Sequence, residues 1–107
     1  MTTIQKDKKV LTVINVFTVS PERQDELLQQ LVKNTDDFIS ACPGFISANF
    51  HKSIDGKNVI NYGQWESMEA LQGMLKTEGG QQMLADGNKI ATAIQPNVYT
   101  VYDTREA

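Results

Sequence analysis

The chain has 107 residues, 40% of them hydrophobic and 21% charged, with a net charge of −3; that is the size and balance of one globular domain with a modest core. Acids and bases are scattered, no basic stripe offers a surface to phosphates, and apolar runs are only a few residues long, so neither nucleic acid nor a membrane is an expected partner. The single cysteine, Cys42, allows no intrachain disulfide and fits a reducing cytoplasm, and no apolar stretch near the N-terminus suggests a signal peptide.

In chain order, residues 1–8, with the Lys6-Asp7-Lys8-Lys9 cluster, read as a flexible solvated arm. Residues 10–19 are β-branched and apolar, which predicts a strand. Both of its faces are largely apolar: Val10, Thr12, Ile14, Val16 and Thr18 on one, Leu11, Val13, Asn15, Phe17 and Val19 on the other. A sheet with one face in water alternates cleanly, so both faces here need cover. Ser20-Pro21-Glu22 predicts a helix start, with Ser as N-cap and Pro in the first turn. Leu27, Leu28, Leu31, Val32, Phe38, Ile39 and Cys42 then recur at helical spacing until Pro43-Gly44 ends the helix; a buried structural role is the default for Cys42.

Residues 45–54 and 58–66 predict a hairpin turning at Asp55-Gly56. Ser67 caps a helix with Leu71, Met74 and Leu75 on its apolar side, and Gly79-Gly80 breaks or kinks it. A further helix carries Met83, Leu84, Ile90, Ala91 and Ile94 and ends at Pro96, and residues 98–102 form the last strand. Domain bounds are 9–103, followed by a polar tail at 104–107. The order strand, helix, strand, strand, helix, strand is the ferredoxin-like split βαβ, an α+β fold with helices on one side of an antiparallel sheet. The simplest cover for the other face is a second copy of the chain. Burial of several hundred Å² at about 25 cal/mol per Å² gives roughly 10 kcal/mol before association costs, so a homodimer through the sheet is expected.

The run Asn61-Tyr62-Gly63-Gln64-Trp65-Glu66-Ser67 is the most informative stretch. Strand alternation puts Asn61 and Trp65, the single tryptophan, on one face. An aromatic plate beside a carboxamide suits a flat, oxygen-bearing organic ligand. A carboxamide on an apolar face must be hydrogen-bonded or it destabilises the fold, and Asn15 raises the same question as Asn61. The bland alternatives are core packing for Trp65 and bonds to backbone or buried water for the amides. The face of His51 depends on the hairpin register. With Phe50 opposite Asn61 it points to the surface or interface, and a one-residue bulge would instead bring it beside Asn61 as a base. Met68, Met74 and Met83 suit a pliable cavity wall or core filling. No nucleophile elbow, P-loop, dinucleotide fingerprint or metal-ligand spacing occurs.

The split βαβ order, Pro43-Gly44-Phe45 and the Asn61 to Ser67 run resemble the antibiotic biosynthesis monooxygenase (ABM) domain, whose members form dimeric α+β barrels. Residues 43–67 are most similar to the anthrone oxygenases of aromatic polyketide pathways, which use O₂ without flavin, haem or metal. The resemblance implies that Asn61 and Trp65 face a substrate cavity and are the catalytic residues, with Asn15, Leu71 and Met74, and His51 if the register allows, binding an aromatic substrate. A cofactor-free site needs a substrate that gives electrons to O₂ itself, once ionised to an enolate or phenolate. Neutral donors such as the Asn61 amide and the Trp65 indole N–H favour that anion, each by roughly 1–3 kcal/mol in a dry cavity. The chain departs from those oxygenases in having neither tyrosine nor arginine within residues 67–95, Leu71 standing near the tyrosine place. A haem-degrading branch of the same superfamily pairs asparagine and tryptophan at the places of Asn15 and Trp65, but needs a histidine in the second helical region, where this chain has none. The expected function is thus a cofactor-independent monooxygenase of an electron-rich phenol, hydroquinone or anthrone-like compound. The alternatives are a non-enzymatic binding module, or an isomerase or decarboxylase using the same cavity.

Overall fold

The computed structural model describes residues 2–6 and 9–107. Its elements run β1 (Leu11–Thr18), α1 (Gln24–Asp37), β2 (Phe45–Lys52), β3 (Asn58–Trp65), α2 (Met68–Leu75), α3 (Glu78–Ile90) and β4 (Ala93–Tyr99). The strands form one antiparallel sheet in the order β2-β3-β1-β4. This is the α+β split βαβ arrangement expected from the sequence, with the second helical region divided into α2 and α3.

The side chains between sheet and helices fall into two clusters. Phe17, Val19, Leu27, Leu31, Val59 and Ile90 form one, with Leu27 and Val59 fully buried. Val13, Ile39, Trp65, Leu71 and Met74 form the other, backed by Phe38, Cys42 and Phe45. The two meet opposite ends of the same helix: Leu27 and Leu31 reach the first cluster, while Phe38 reaches the second. Burial pushes the Cys42 thiol pKa up.

The first helix departs from the sequence expectation at both ends: α1 stops at Asp37, and Ile39–Ala41 form a separate 3-10 turn before Pro43-Gly44. Residues Pro21–Arg23 form a 3-10 turn, and α1 starts only at Gln24. Ser20 has the extended backbone of a cap, but its hydroxyl bonds nothing in the turn; its backbone carbonyl accepts from the Arg23 N–H at 2.9 Å. Gln24 is buried and donates its side-chain amide to the carbonyls of Ser53 and Asn58, both at 3.0 Å. It therefore ties the start of α1 to the base of the hairpin. At the hairpin tip Gly56 takes φ +81°, a left-handed conformation that favours glycine, and Asp55 Oδ1 accepts from the Lys57 N–H and the Ser53 hydroxyl.

Gly79-Gly80 does not break the helix. The break is at Lys76 and Thr77, where the Thr77 hydroxyl caps α3 by accepting from the Gly80 N–H at 3.0 Å. Both glycines lie in the first turn of α3 because neighbours leave no room: a side chain on Gly80 would strike the Met74 carbonyl, and one on Gly79 the Phe38 ring. The third helix also ends earlier than expected, at Ile90, and Ala91 turns extended. Ile94 packs on the first cluster from a strand, and Pro96 lies inside β4. The spacing of Ile90 and Ile94 fits a helix, but Ile94, Pro96 and Val98 also alternate as strand residues do. Proline is tolerated there because β4 is an edge strand. The strand ends at Tyr99, leaving Tyr102 exposed beyond it.

The N-terminal segment expected to be free touches the sheet. The Thr2 hydroxyl lies 2.9 Å from Ser47 Oγ and 2.8 Å from Asn49 Oδ1, and the Gln64 amide donates to the Thr3 carbonyl at 2.8 Å. These contacts lie on the face away from the helices. Asp7 and Lys8 of the basic cluster fall outside the described residues. Among the described residues no helix is long and apolar enough to cross a membrane.

Candidate functional site

A cavity of about 550 Å³ lies between the sheet and the helices. Strand residues make its floor: Val13, Asn15 and Phe17 from β1, Asn61, Gly63 and Trp65 from β3, with Phe50 from β2 and Pro96 from β4. Helix residues make its roof: Leu31, Asn34 and Thr35 from α1, Met68, Leu71, Gln72 and Met74 from α2, and Met83 and Leu84 from α3. Five of the residues singled out from the sequence, Asn15, Asn61, Trp65, Leu71 and Met74, thus meet on one cavity.

The geometry of the floor follows from the strand register. Asn15 pairs with Asn61 across β1 and β3, which sets their Cβ atoms about 5 Å apart. Trp65 stands at the far end of β3, 4% exposed, its ring meeting Phe45 edge to face at 5.5 Å and 80°. Between Asn61 and Trp65 on the same face is Gly63. A Cβ added there would make only ordinary contacts, 3.7 Å from the Ser47 carbonyl and 3.8 Å from the Val13 carbonyl, so glycine keeps the floor low where a side chain could stand. The Asn61 Oδ1 atom is buried and accepts no hydrogen bond from the described residues. A buried acceptor in that condition destabilises the fold, which weakens the purely structural account of Asn61.

The roof carries a second such group. Asn34 Oδ1 accepts from the Gln30 side-chain amide at 2.9 Å, while Asn34 Nδ2 is buried without a partner among the described residues. Thr35 turns its hydroxyl back to the Leu31 carbonyl at 2.9 Å. Among the described lining residues none is ionisable: the wall is apolar side chains, glycine and neutral amides and hydroxyls. Nor, among the described residues, is any group of three or more His, Cys, Asp or Glu placed to hold a metal ion.

His51 does not join the site, which corrects its candidacy for substrate binding. Phe50 pairs with Asn61 and His51 with Ile60, so His51 lies on the opposite face of the sheet and is exposed. The bulge that would have reversed it exists, but at the other end of β2, between Phe45 and Ser47. Asn34 and Gly63 are the site residues that sequence reasoning missed. Signals for both were present: Asn34 interrupts the apolar stripe Leu27, Leu31, Phe38 of α1, and Gly63 interrupts a strand.

A family model described as antibiotic biosynthesis monooxygenase matches residues 10–85. The tetracenomycin-F1 monooxygenase of Streptomyces glaucescens is 47% identical over 74 residues, which cover 69% of this chain and 66% of that protein. A solved anthrone oxidase-like protein superposes with a TM-score of 0.84 at 30% identity, over 92% of this chain but 42% of its own. Rv0793 of Mycobacterium tuberculosis shares the fold at 19% identity, with a TM-score of 0.75 over 91% of this chain and 99% of its own.

Proposed function

Since the chain belongs to the antibiotic biosynthesis monooxygenase family, we propose that it oxidises a flat, electron-rich phenolic, hydroquinone or anthrone-like compound with O₂. No bound flavin, haem or metal is required on this reading. The observation that carries it is the convergence of Asn61 and Trp65 on an apolar cavity of about 550 Å³, a volume in the ordinary range for small-molecule sites. The likeness to a tetracenomycin-F1 monooxygenase supports a polycyclic aromatic substrate.

The chemistry follows from the wall. Dioxygen accepts electrons readily only from an electron-rich partner, so the substrate must first ionise. An apolar wall disfavours a charge, and neutral donors aimed at the forming oxyanion offset that. The amide N–H of Asn61 and the indole N–H of Trp65 take this role, with Asn15 beside them. For an anthrone-like substrate the ionised ring carbon passes an electron to O₂, and the two radicals combine to a hydroperoxide. Loss of water then leaves a carbonyl. The sum is CH₂ + O₂ → C=O + H₂O, one oxygen atom going to product and one to water. None of the described wall residues is a base, so the first proton leaves to water or to reduced dioxygen.

The same reading includes a homodimer formed through the outer sheet face. Ile14, Val16, Ile60 and Tyr62 lie on that face and are only half-buried in one chain, and Tyr99 is exposed at its edge. A cytoplasmic setting fits the single free thiol. Sedimentation at micromolar concentration tests the assembly, and a strictly monomeric species contradicts it.

Activity is tested by oxygen-electrode measurements on a panel of phenols, hydroquinones and anthrones with chelator present. The expected result is one O₂ consumed per substrate. A second reading, a binding module without turnover, is favoured by the lack of any ionisable group among the described wall residues. Binding of the same compounds with no O₂ uptake in air would select it.

A further inference from the structure

Two buried, unbonded polar atoms of the site stand on opposite walls, the Asn61 Oδ1 acceptor and the Asn34 Nδ2 donor, and Asn34 has no role in the chemistry above. Asn61 belongs to the floor; Asn34 belongs to the roof. Asn34 follows Leu31 by three residues on one face of α1, and Phe38, four residues further, is the residue at which the helix ends. Leu31 packs in the cluster of Phe17 and Val59, and Phe38 packs in the cluster of Val13 and Trp65. Asn34 therefore lies between the two clusters, as the Asn15–Asn61 pair does on the sheet, where it separates Phe17 and Val59 from Val13 and Trp65.

Its amide is also oriented. Gln30, one helical turn earlier, donates to Asn34 Oδ1 at 2.9 Å, which commits the oxygen and leaves the Nδ2 donor buried without a partner. An apolar side chain of similar size would avoid that unmet donor. Packing alone therefore does not account for asparagine at this position, whereas a ligand acceptor does.

We infer that Asn34 is a second substrate-anchoring residue: its Nδ2 donates from the helical roof to an acceptor oxygen of an aromatic ligand whose other oxygen meets Asn61 and Trp65 on the sheet. This rests on the function proposed above and narrows its substrate class to flat polycycles with acceptor oxygens at two separated edges. A ligand with one oxygen satisfies only the floor.

The test uses the fluorescence of Trp65, the single tryptophan, titrated under nitrogen with 9,10-anthraquinone, which carries two opposed carbonyls, and with anthrone, which carries one. The wild-type protein binds the two-carbonyl ligand more tightly. Asn34→Leu and Asn34→Ala each weaken anthraquinone about tenfold, the value of one hydrogen bond, and change anthrone less than twofold. The melting temperature of Asn34→Leu stays level or rises, and Asn34→Ala, with its high helix propensity, covers a failure of the leucine variant to fold. An equal loss for both ligands, or no loss for anthraquinone, overturns the inference. Failure of the wild type to bind either ligand overturns it together with the proposed function. Binding with the predicted selectivity but no O₂ uptake in air removes only the oxygenase reading and leaves Asn34 as an anchor.

Discussion

Asn15 of β1 stands directly opposite Asn61 of β3 on the cavity face of the sheet. Two amides side by side, bordered along their strands by Val13, Phe17, Val59 and Gly63, make a polar spot on an apolar floor. Their position is set by backbone pairing and not by a mobile loop, so the donors are held before any ligand arrives, as electrostatic stabilisation of an anion requires.

Replacing Asn61 with alanine should lower kcat/KM about ten- to hundredfold, the loss of one donor worth about 1–3 kcal/mol to the anion. The melting temperature should hardly fall, because Asn61 Oδ1 bonds nothing in the folded chain. Steady-state O₂ uptake and a thermal melt check the two halves separately. A fully active variant would remove Asn61 from the mechanism.

Trp65 combines two roles that substitution can separate. Phenylalanine keeps a ring against Phe45 and removes the indole N–H, so Trp65→Phe should lose turnover about tenfold with a small change in stability. Alanine also empties a buried site, and Trp65→Ala should cost about 3–5 kcal/mol of folding stability. Denaturant unfolding of both variants beside their rates distinguishes a donor from a packing residue.

Gly63 opens the floor between the two catalytic candidates. A Gly63→Leu variant should fold, since its Cβ meets only ordinary contacts, 3.7 Å from the Ser47 carbonyl and 3.8 Å from the Val13 carbonyl. Its side chain should occupy ligand space and raise the Kd for anthraquinone at least tenfold. Unchanged binding would place the ligand elsewhere in the cavity.

The absence of ionisable side chains from the described wall fixes the form of the pH profile. The reactive species is the substrate anion, so kcat should rise with pH along one limb and level off above the bound substrate's own pKa. The neutral donors favour the anion and should move that midpoint below the value in free solution. Rates for two phenols of different acidity check this. A midpoint that follows the substrate agrees with the account, and one fixed for both would report a protein group.

The fold was legible because its signals were local and consistent. The β-branched run of β1, the capping Ser67 and the Asp55-Gly56 turn each acted through chemistry confined to a few residues. The end of α3 was not legible: Ile90 and Ile94 satisfy helical spacing, and only the pairing of residues 93–99 with β1 decides for a strand. Gly79-Gly80 misled for a related reason, since the glycines answer to Met74 and Phe38, neighbours that a linear reading cannot see. In the site, the meeting of Asn61 with Trp65 followed from strand period. Asn34 did not, because its importance depends on α1 lying across the sheet with that residue between two clusters. His51 turned on the location of a bulge, and the sequence alone did not say which end of β2 holds it.

The central claim is that this cavity places one atom of dioxygen into an ionised aromatic using the substrate's own electrons. Single-turnover oxidation of anthrone under ¹⁸O₂, with chelator present and the product analysed by mass spectrometry, tests it most directly. The account predicts anthraquinone carrying one ¹⁸O atom, formed by the wild-type protein well above the uncatalysed rate and strongly reduced in Asn61→Ala. Product formed only at the uncatalysed rate, or an oxidation that chelator abolishes, would contradict it.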